Sequence, residues 1–363
     1  MNTRQPLNND GTLALHSLER IAERRNWLLY PAASGASYFR SFLNARHPDL
    51  ADRVCGLSDR DSNKWGLSQE GLTVIPPERI AASDADIIIV CSSGGYDAIH
   101  DELRAALGPH LPIVLHDNIR EYNDWEAEKS RLARLAWERN APVPDISGHG
   151  KFFQSLPFAP GAYPVSSKGA LTYRHLEHLR LPERLDGKSV LDLGASDCFY
   201  GMEALARGAS ELACLESFYW REKDGIAKNE LVRRHFGMEY QRLDLDANEI
   251  THSDAGCYDL VFCLGLYYHL RDPFRLLRNL REITRERLYI SGRTVVLDAP
   301  DPFHGSTQRA SISMLSGRGF GKWTPNLRCL LDMLHIAGFE HTEVTFDFCP
   351  AGSMIATTAV QAW

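Results

Sequence analysis

Short apolar runs, each closed by glycine, proline or an acid, divide the chain into two α/β halves. In the first half Trp27 to Ala33, Arg53 to Ser58, Ala85 to Ser92 and Leu111 to Asp117 predict strands, and Tyr96 to Leu107 between them predicts a helix. Strands alternating with helices imply a parallel sheet. In the second half the predicted strands are Val190 to Leu193, Glu211 to Glu216, Tyr240 to Leu245, Tyr258 to Leu266 and Arg287 to Val296. The run from Tyr258 is continuously apolar, as a strand covered by helices on both faces must be. Asp272-Pro273 opens a helix, proline being tolerated in a first turn. Leu276, Leu277, Leu280 and Ile283 share one face of it, the pattern of a core-facing helix. Thr324 before Pro325 predicts the cap of a further helix that ends near Gly338. Glu340 to Phe348 and Ser353 to Trp363 alternate well enough to predict a closing hairpin. Asp298 to Trp323 shows neither period. With His304, Arg309, Arg318, Lys322 and glycines 317, 319 and 321 it reads as a long loop that sets substrate choice or as a surface insertion.

Chemistry concentrates at the carboxyl ends of the second set of strands. Val190-Leu191-Asp192-Leu193-Gly194 ends in an acid and a glycine, and the glycine lets a ligand approach the backbone. About twenty residues on, Glu216 ends the next strand, where an acid meets ribose hydroxyls in mononucleotide-binding folds. Asp244 and Asp246 end the third strand. His269, just past the fourth strand, is the titratable group best suited to take a proton near pH 7. It serves either as a general base or as the cap of the following helix. Tyr267 and Tyr268 flank it. Successive residues of an extended segment point oppositely, so one is expected in the pocket and the other in the core. Tyr200, after Phe199, is a further pocket candidate.

These words together resemble the class I S-adenosylmethionine-dependent methyltransferases over roughly residues 165 to 363, a length that suits one domain. The resemblance implies a seven-stranded sheet with an antiparallel edge hairpin. It places Asp192 and Gly194 against the methionine part of the cofactor, Glu216 on the ribose and Asp244 on the adenine amine, with Ser196, Phe199 and Leu264 completing the cofactor set. Phe262-Cys263, His269-Leu270-Arg271-Asp272-Pro273, Trp323-Thr324-Pro325-Asn326 and Ala337-Gly338-Phe339 look most like the branch that contains the tRNA wobble-uridine carboxymethyltransferase and relatives in natural-product pathways. Ser196 and Cys198 stand where that family carries further glycines. Serine is small enough to bond the cofactor; Cys198 either narrows the methionine pocket or packs against the following helix. The resembled carboxymethyltransferase needs a cation for its carboxylated cofactor. Arg318 and Lys168 are the candidates, but neither lies in a matching motif, so ordinary S-adenosylmethionine is favoured.

The boundaries expected are a Rossmann-like accessory domain over 1–120, a helical linker and pocket-covering segment over 121–164, and the methyltransferase domain over 165–363. In the first domain the turn Pro31-Ala32-Ala33-Ser34-Gly35-Ala36 keeps one glycine of a phosphate loop, which argues for a supporting role over dinucleotide binding. Val54 to Asp59 and Val74 to Glu78 resemble small Rossmann-like modules found beside sugar-nucleotide and methyl transferases. The aromatic stretch from Lys151 to Pro164 makes Phe152, Tyr163 and Lys168 candidates either for a pocket cover or for an interdomain clasp.

Composition narrows the reaction. Eight cysteines without C-x-x-C pairing read as buried thiols, not zinc ligands or disulfides, and the compartment expected is the cytoplasm. No apolar run approaches the roughly 20 residues a bilayer span needs, so no membrane partner is expected. A net charge of −7 speaks against nucleic acid. Arg271, Arg275, Arg278, Arg281 and Arg285, on one side of a predicted helix, keep RNA open as a partner. The favoured function is methyl transfer to an O, N or C nucleophile of a small molecule. A tRNA-modifying enzyme and a non-catalytic cofactor-binding protein are the alternatives, and a homodimer is a candidate assembly.

Overall fold

The computed structural model describes residues 7–92, 96–222, 224–296, 310–317, 320–349 and 354–363. They form two compact units, one built from 1–129 and 139–173, the other from 130–138 and 174–363.

The first unit carries a six-stranded sheet. Its strands are β1 (Trp27–Tyr30), β2 (Val54–Ser58), β3 (Ser68–Gln69), β4 (Leu72–Ile75), β5 (Ile87–Val90) and β6 (Ile113–Leu115), in the order β3-β4-β2-β1-β5-β6. All pairs are parallel except β3 with β4, a short antiparallel pair that the sequence pattern does not predict. Helices α1 (Ser34–Arg46) and α2 (Tyr96–Leu107) follow β1 and β5. Trp27, Leu29, Phe39 and Phe42 fill the core on one face of the sheet, and Leu28, Tyr30, Ile88 and Val90 that on the other.

The turn after β1 is closed by a side chain from the segment that follows β2. Lys64 Nζ donates to Ala32 O at 3.0 Å and pairs with Asp59 at 2.7 Å. Asp59, the acid just past β2, is therefore neutralised from within. Gly35 is required by packing, because a Cβ there would lie 1.9 Å from Cys91 O. Phe152 and Tyr163 are buried in this unit, the Tyr163 hydroxyl donating to Asp124 at 2.6 Å, and Lys168 lies over the Phe153 ring.

The second unit is built on a seven-stranded sheet. It contains β7 (Ser189–Leu193), β8 (Glu211–Leu215), β9 (Gln241–Leu243), β10 (Tyr258–Leu264), β11 (Thr284–Val295), β14 (Thr342–Phe348) and β15 (Ile355–Ala362), in the order β14-β15-β11-β10-β7-β8-β9. The strands from β7 to β11 pair in parallel, and β15 is antiparallel to both β11 and β14. The remaining strands, β12 (Ile312–Gly317) and β13 (Phe320–Pro325), pair only with each other. The chain leaves β7 for β8 on one side and reaches β10 on the other. Between β7 and β10 lies the reversal of strand order at which open α/β sheets bind ligands.

Among the helices of this unit are α3 (Arg131–Arg139), α4 (Leu171–Leu179), α5 (Phe199–Ala206), α6 (Phe218–Glu222), α7 (Gly225–Phe236), α8 (Pro273–Ile283) and α9 (Leu327–Ala337). The first residues of α4 belong to the other unit. Helix α8 buries Leu276, Leu277, Leu280 and Ile283 completely, each contributing about 1.5–3 kcal/mol by removal from water. The α5 carboxylate of Glu203 accepts from Ser130 Oγ and from the amides of Arg131 and Leu132, capping α3.

Three local expectations are corrected. The stretch taken as a loop includes the β12–β13 hairpin, with Met314 opposite Trp323; His304, Arg309 and Arg318 lie outside the described residues. Thr324 is not a helix cap, because it pairs in that hairpin with Ser313. Asn326 caps α9, its side chain accepting from Cys329 N at 2.8 Å. Finally, Tyr267–His269 is a single 3-10 turn and not an extended segment.

Candidate functional site

Two loops meet where β7 and β10 end, since Leu193 is the register partner of Cys263. One is 194–198, leading into α5; the other is 265–269. Gly194 turns the first at φ 74°, and a Cβ on it would come within 3.2 Å of the Leu266 side chain. Glycine is thus fixed here by both conformation and space.

Asp192 is fully buried on β7, and its Oδ2 accepts from Gly201 N at 2.9 Å. Burial pushes its pKa up to about 7; the Gly201 N–H opposes this, and the Glu216 charge adds to it. A carboxyl held so far above its ordinary range is one whose anion lacks a cation. Gly201 makes the contact possible, for a Cβ there would sit 2.9 Å from Leu212 and 3.2 Å from the Asp192 carboxylate.

Ser196 and Cys198 adopt positive φ of 50° and 63°. Such conformations cost non-glycine residues about 1–3 kcal/mol each unless the surroundings impose them. The Cys198 thiol is fully buried and accepts from Asn229 Nδ2 of α7 at 2.9 Å. Its hydrogen-bond partner thus lies on α7 and not on the following helix α5. Its neighbour Cys214 has its pKa raised by burial, with the Cys198 thiol adding to the effect.

The remaining cofactor candidates fall around these loops. Glu216 is half-buried just past β8, and its Oε1 accepts from Ser217 N and Tyr219 N. Asp244 is exposed past β9 and paired with Arg221 at 2.8 Å. Phe199 is buried at the start of α5, stacked edge-on against Tyr200, whose hydroxyl lies 3.0 Å from His175 Nδ1. Leu264 is the half-buried last residue of β10.

The 3-10 turn places both tyrosines inside. Tyr267 is buried and donates its hydroxyl to Arg293 O at 2.6 Å, while the Tyr268 ring is buried in the same core. Both rings press on Gly292 of β11, where a Cβ would lie 2.7 Å from each. Burial raises the Tyr268 pKa, the Arg293 charge opposing it. His269 is exposed at the end of the turn, its ring 4.4 Å from that of Tyr268. The cap of α8 is Asp272, which accepts from Arg275 N at 2.9 Å.

Sequence reasoning passed over Tyr219, Trp220, Asn229 and Gly292. The aromatic triplet Phe218-Tyr219-Trp220 directly after the acid of β8 was the available signal. Nothing local marked Asn229 or Gly292.

No family model matches the chain. It is 30% identical over 106 residues to a ubiquinone biosynthesis O-methyltransferase of Coxiella burnetii, covering 29% of this chain and 42% of that protein. It is 22% identical over 165 residues to a tRNA U34 carboxymethyltransferase of Helicobacter pylori, covering 44% and 59%. The chain thus spans about half the length of the curated relatives it matches. Among solved structures it is similar to the N-terminal domain of EvdMO1 with SAH bound, at TM-score 0.45 and 20% identity, covering 58% of this chain and 90% of that one. It is also similar to the 1,6-didemethyltoxoflavin-N1-methyltransferase of Burkholderia thailandensis, at TM-score 0.36 and 14% identity, covering 49% and 71%.

Proposed function

We propose that the chain is a class I S-adenosylmethionine-dependent methyltransferase, a reading supported by its similarity to an O-methyltransferase and a tRNA carboxymethyltransferase, and that it transfers a methyl group from that cofactor to an O, N or C nucleophile of a small molecule. The observation that carries this reading is Asp192, a buried carboxyl at the strand reversal with its pKa raised to about 7. A cofactor that brings positive charge supplies the missing partner. When bound, S-adenosylmethionine supplies a methyl group already joined to a good leaving group.

The protein's task is then to align, exclude water and, where needed, take a proton. Glu216 meets the ribose and Asp244 the adenine amine, the latter exchanging its present partner Arg221 for the ligand. Ser196, Phe199 and Leu264 line the cofactor. His269 takes the acceptor's proton, Tyr268 orients the imidazole from below, and Tyr267 anchors the turn through Arg293 O. The place of action is the cytoplasm, a reading supported by eight cysteines that are all free thiols. Among the described residues no helix is long and apolar enough to cross a membrane.

Calorimetric titration with S-adenosylmethionine, S-adenosylhomocysteine and the carboxylated cofactor tests this. Micromolar binding of the first two, lost in Asp192→Ala and Glu216→Ala, is expected. Absence of binding to all three refutes the methyltransferase reading, and preference for the carboxylated form would turn it towards carboxymethyl transfer.

A further inference from the structure

Three consecutive residues of the 194–198 loop are each held from the segment that follows β8. Ser196 O accepts from Trp220 Nε1 at 2.9 Å, Asp197 Oδ1 from the Tyr219 hydroxyl at 2.7 Å, and Cys198 Sγ from Asn229 Nδ2 at 2.9 Å. Trp220, Asp197, Cys198 and Asn229 are buried, so the Trp220 and Asn229 bonds form away from competing water, while the Tyr219 bond is partly buried. Two of the three loop residues hold positive φ without being glycine, and such backbone persists only where its surroundings over-determine it. The tethers are that over-determination. Next to Tyr219 and Trp220 on the same short helix, Arg221 pairs with Asp244 beyond β9. One turn of chain thereby touches the loop on one side and the acid proposed for adenine on the other.

We propose that Tyr219, Trp220 and Asn229 are positioning residues that lock the 194–198 loop in a ligand-ready path. Where a glycine-rich loop follows this path by backbone freedom, the present loop follows it by side-chain tethers. The inference rests on the methyltransferase reading for the identity of the ligand. A loop already fixed loses less freedom when the cofactor arrives, so the tethers act on affinity. None of the three residues is assigned to the cofactor or to the acceptor, so the rate of transfer from the bound state is untouched by them.

The test uses the full chain with Tyr219→Phe, Trp220→Phe and Asn229→Ala, read by hydrogen–deuterium exchange of the peptide over 194–201 and by calorimetry with S-adenosylhomocysteine. Each variant is expected to speed exchange of the ligand-free loop and to weaken binding by about 3- to 10-fold, the loss of one hydrogen bond. The KM for S-adenosylmethionine rises by the same factor while kcat stays level. Adding Cys198→Gly to Asn229→Ala is expected to recover affinity to within about twofold, because glycine needs no tether at positive φ; a loss caused by general loosening is not rescued this way.

Replacement of buried Trp220 can unfold the unit, so Tyr219→Phe, which removes a single hydroxyl, decides the matter. Unchanged exchange and unchanged affinity in that variant overturn the proposal. If the wild-type chain fails to bind S-adenosylhomocysteine, the methyltransferase reading falls, and exchange of the ligand-free loop still judges the tethers.

Discussion

Asp192 couples stability to pH in a direction opposite to that of a salt-bridged acid. Its folded pKa of about 7 lies above the ordinary 3.8, so the folded chain keeps a proton that the unfolded chain releases. Stability contributed at this position is therefore greatest below about pH 4, falls as pH rises to about 7, and is level above that, where both states are ionised. Urea unfolding at a series of pH values should show this fall, and Asp192→Asn should flatten it; an identical slope in the variant would sink the assignment. The same imbalance predicts that affinity for a cationic cofactor rises with pH up to about 7. The acid and the glycine beside it were legible in the sequence, because strand end, acid and glycine are contiguous. The direction of the Cys198 thiol was not, since it is set by Asn229, thirty-one residues further on.

At the level of elements, the sequence pattern located the strands of the second unit's sheet and the helices α8 and α9 closely, and failed where a segment's shape depends on a distant partner. Tyr267 and Tyr268 were expected on opposite sides of an extended segment. They lie together because Gly292, on a neighbouring strand, leaves room for both rings. Thr324 looked like a cap until its pairing with Ser313 placed it in a hairpin, and glycine-rich spacing hid that hairpin from any period-two signal. The dependence of the turn on Gly292 can be measured. Gly292→Ala puts a methyl 2.7 Å from each ring, an overpacking that costs about 1–3 kcal/mol. It also shifts the turn that carries His269, and misplacement by about 1 Å can cost on the order of a hundredfold in rate. We expect a thermal melt lowered by several degrees, cofactor affinity close to wild type and turnover down by at least about tenfold. A variant with normal turnover would show that the turn is not part of the reacting machinery.

Over the whole molecule, charge is the argument for proposing a small acceptor in preference to RNA. The five arginines of the α8 region suggested a stripe that tracks phosphates, and the sequence had no means of revealing their partners. Arg275 pairs with Glu249 at 3.0 Å, Arg285 lies 3.7 Å from Asp259, and Arg281 donates to the carbonyls of Gly338 and Thr284. If Arg271 and Arg278 alone reach phosphates, the logarithm of affinity falls with the logarithm of salt at a slope of only about −1.4 to −1.8. Two such contacts on a chain of net charge −7 are too few for this stripe by itself to be expected to hold a tRNA at physiological salt. Fluorescence anisotropy with labelled tRNA at about 0.15 M salt is accordingly expected to show no micromolar binding. Tight binding with a steep salt slope, reduced by Arg271→Glu and Arg278→Glu, would mean that Arg275 and Arg285 give up their acids for phosphate, and the acceptor would then have to be sought in RNA.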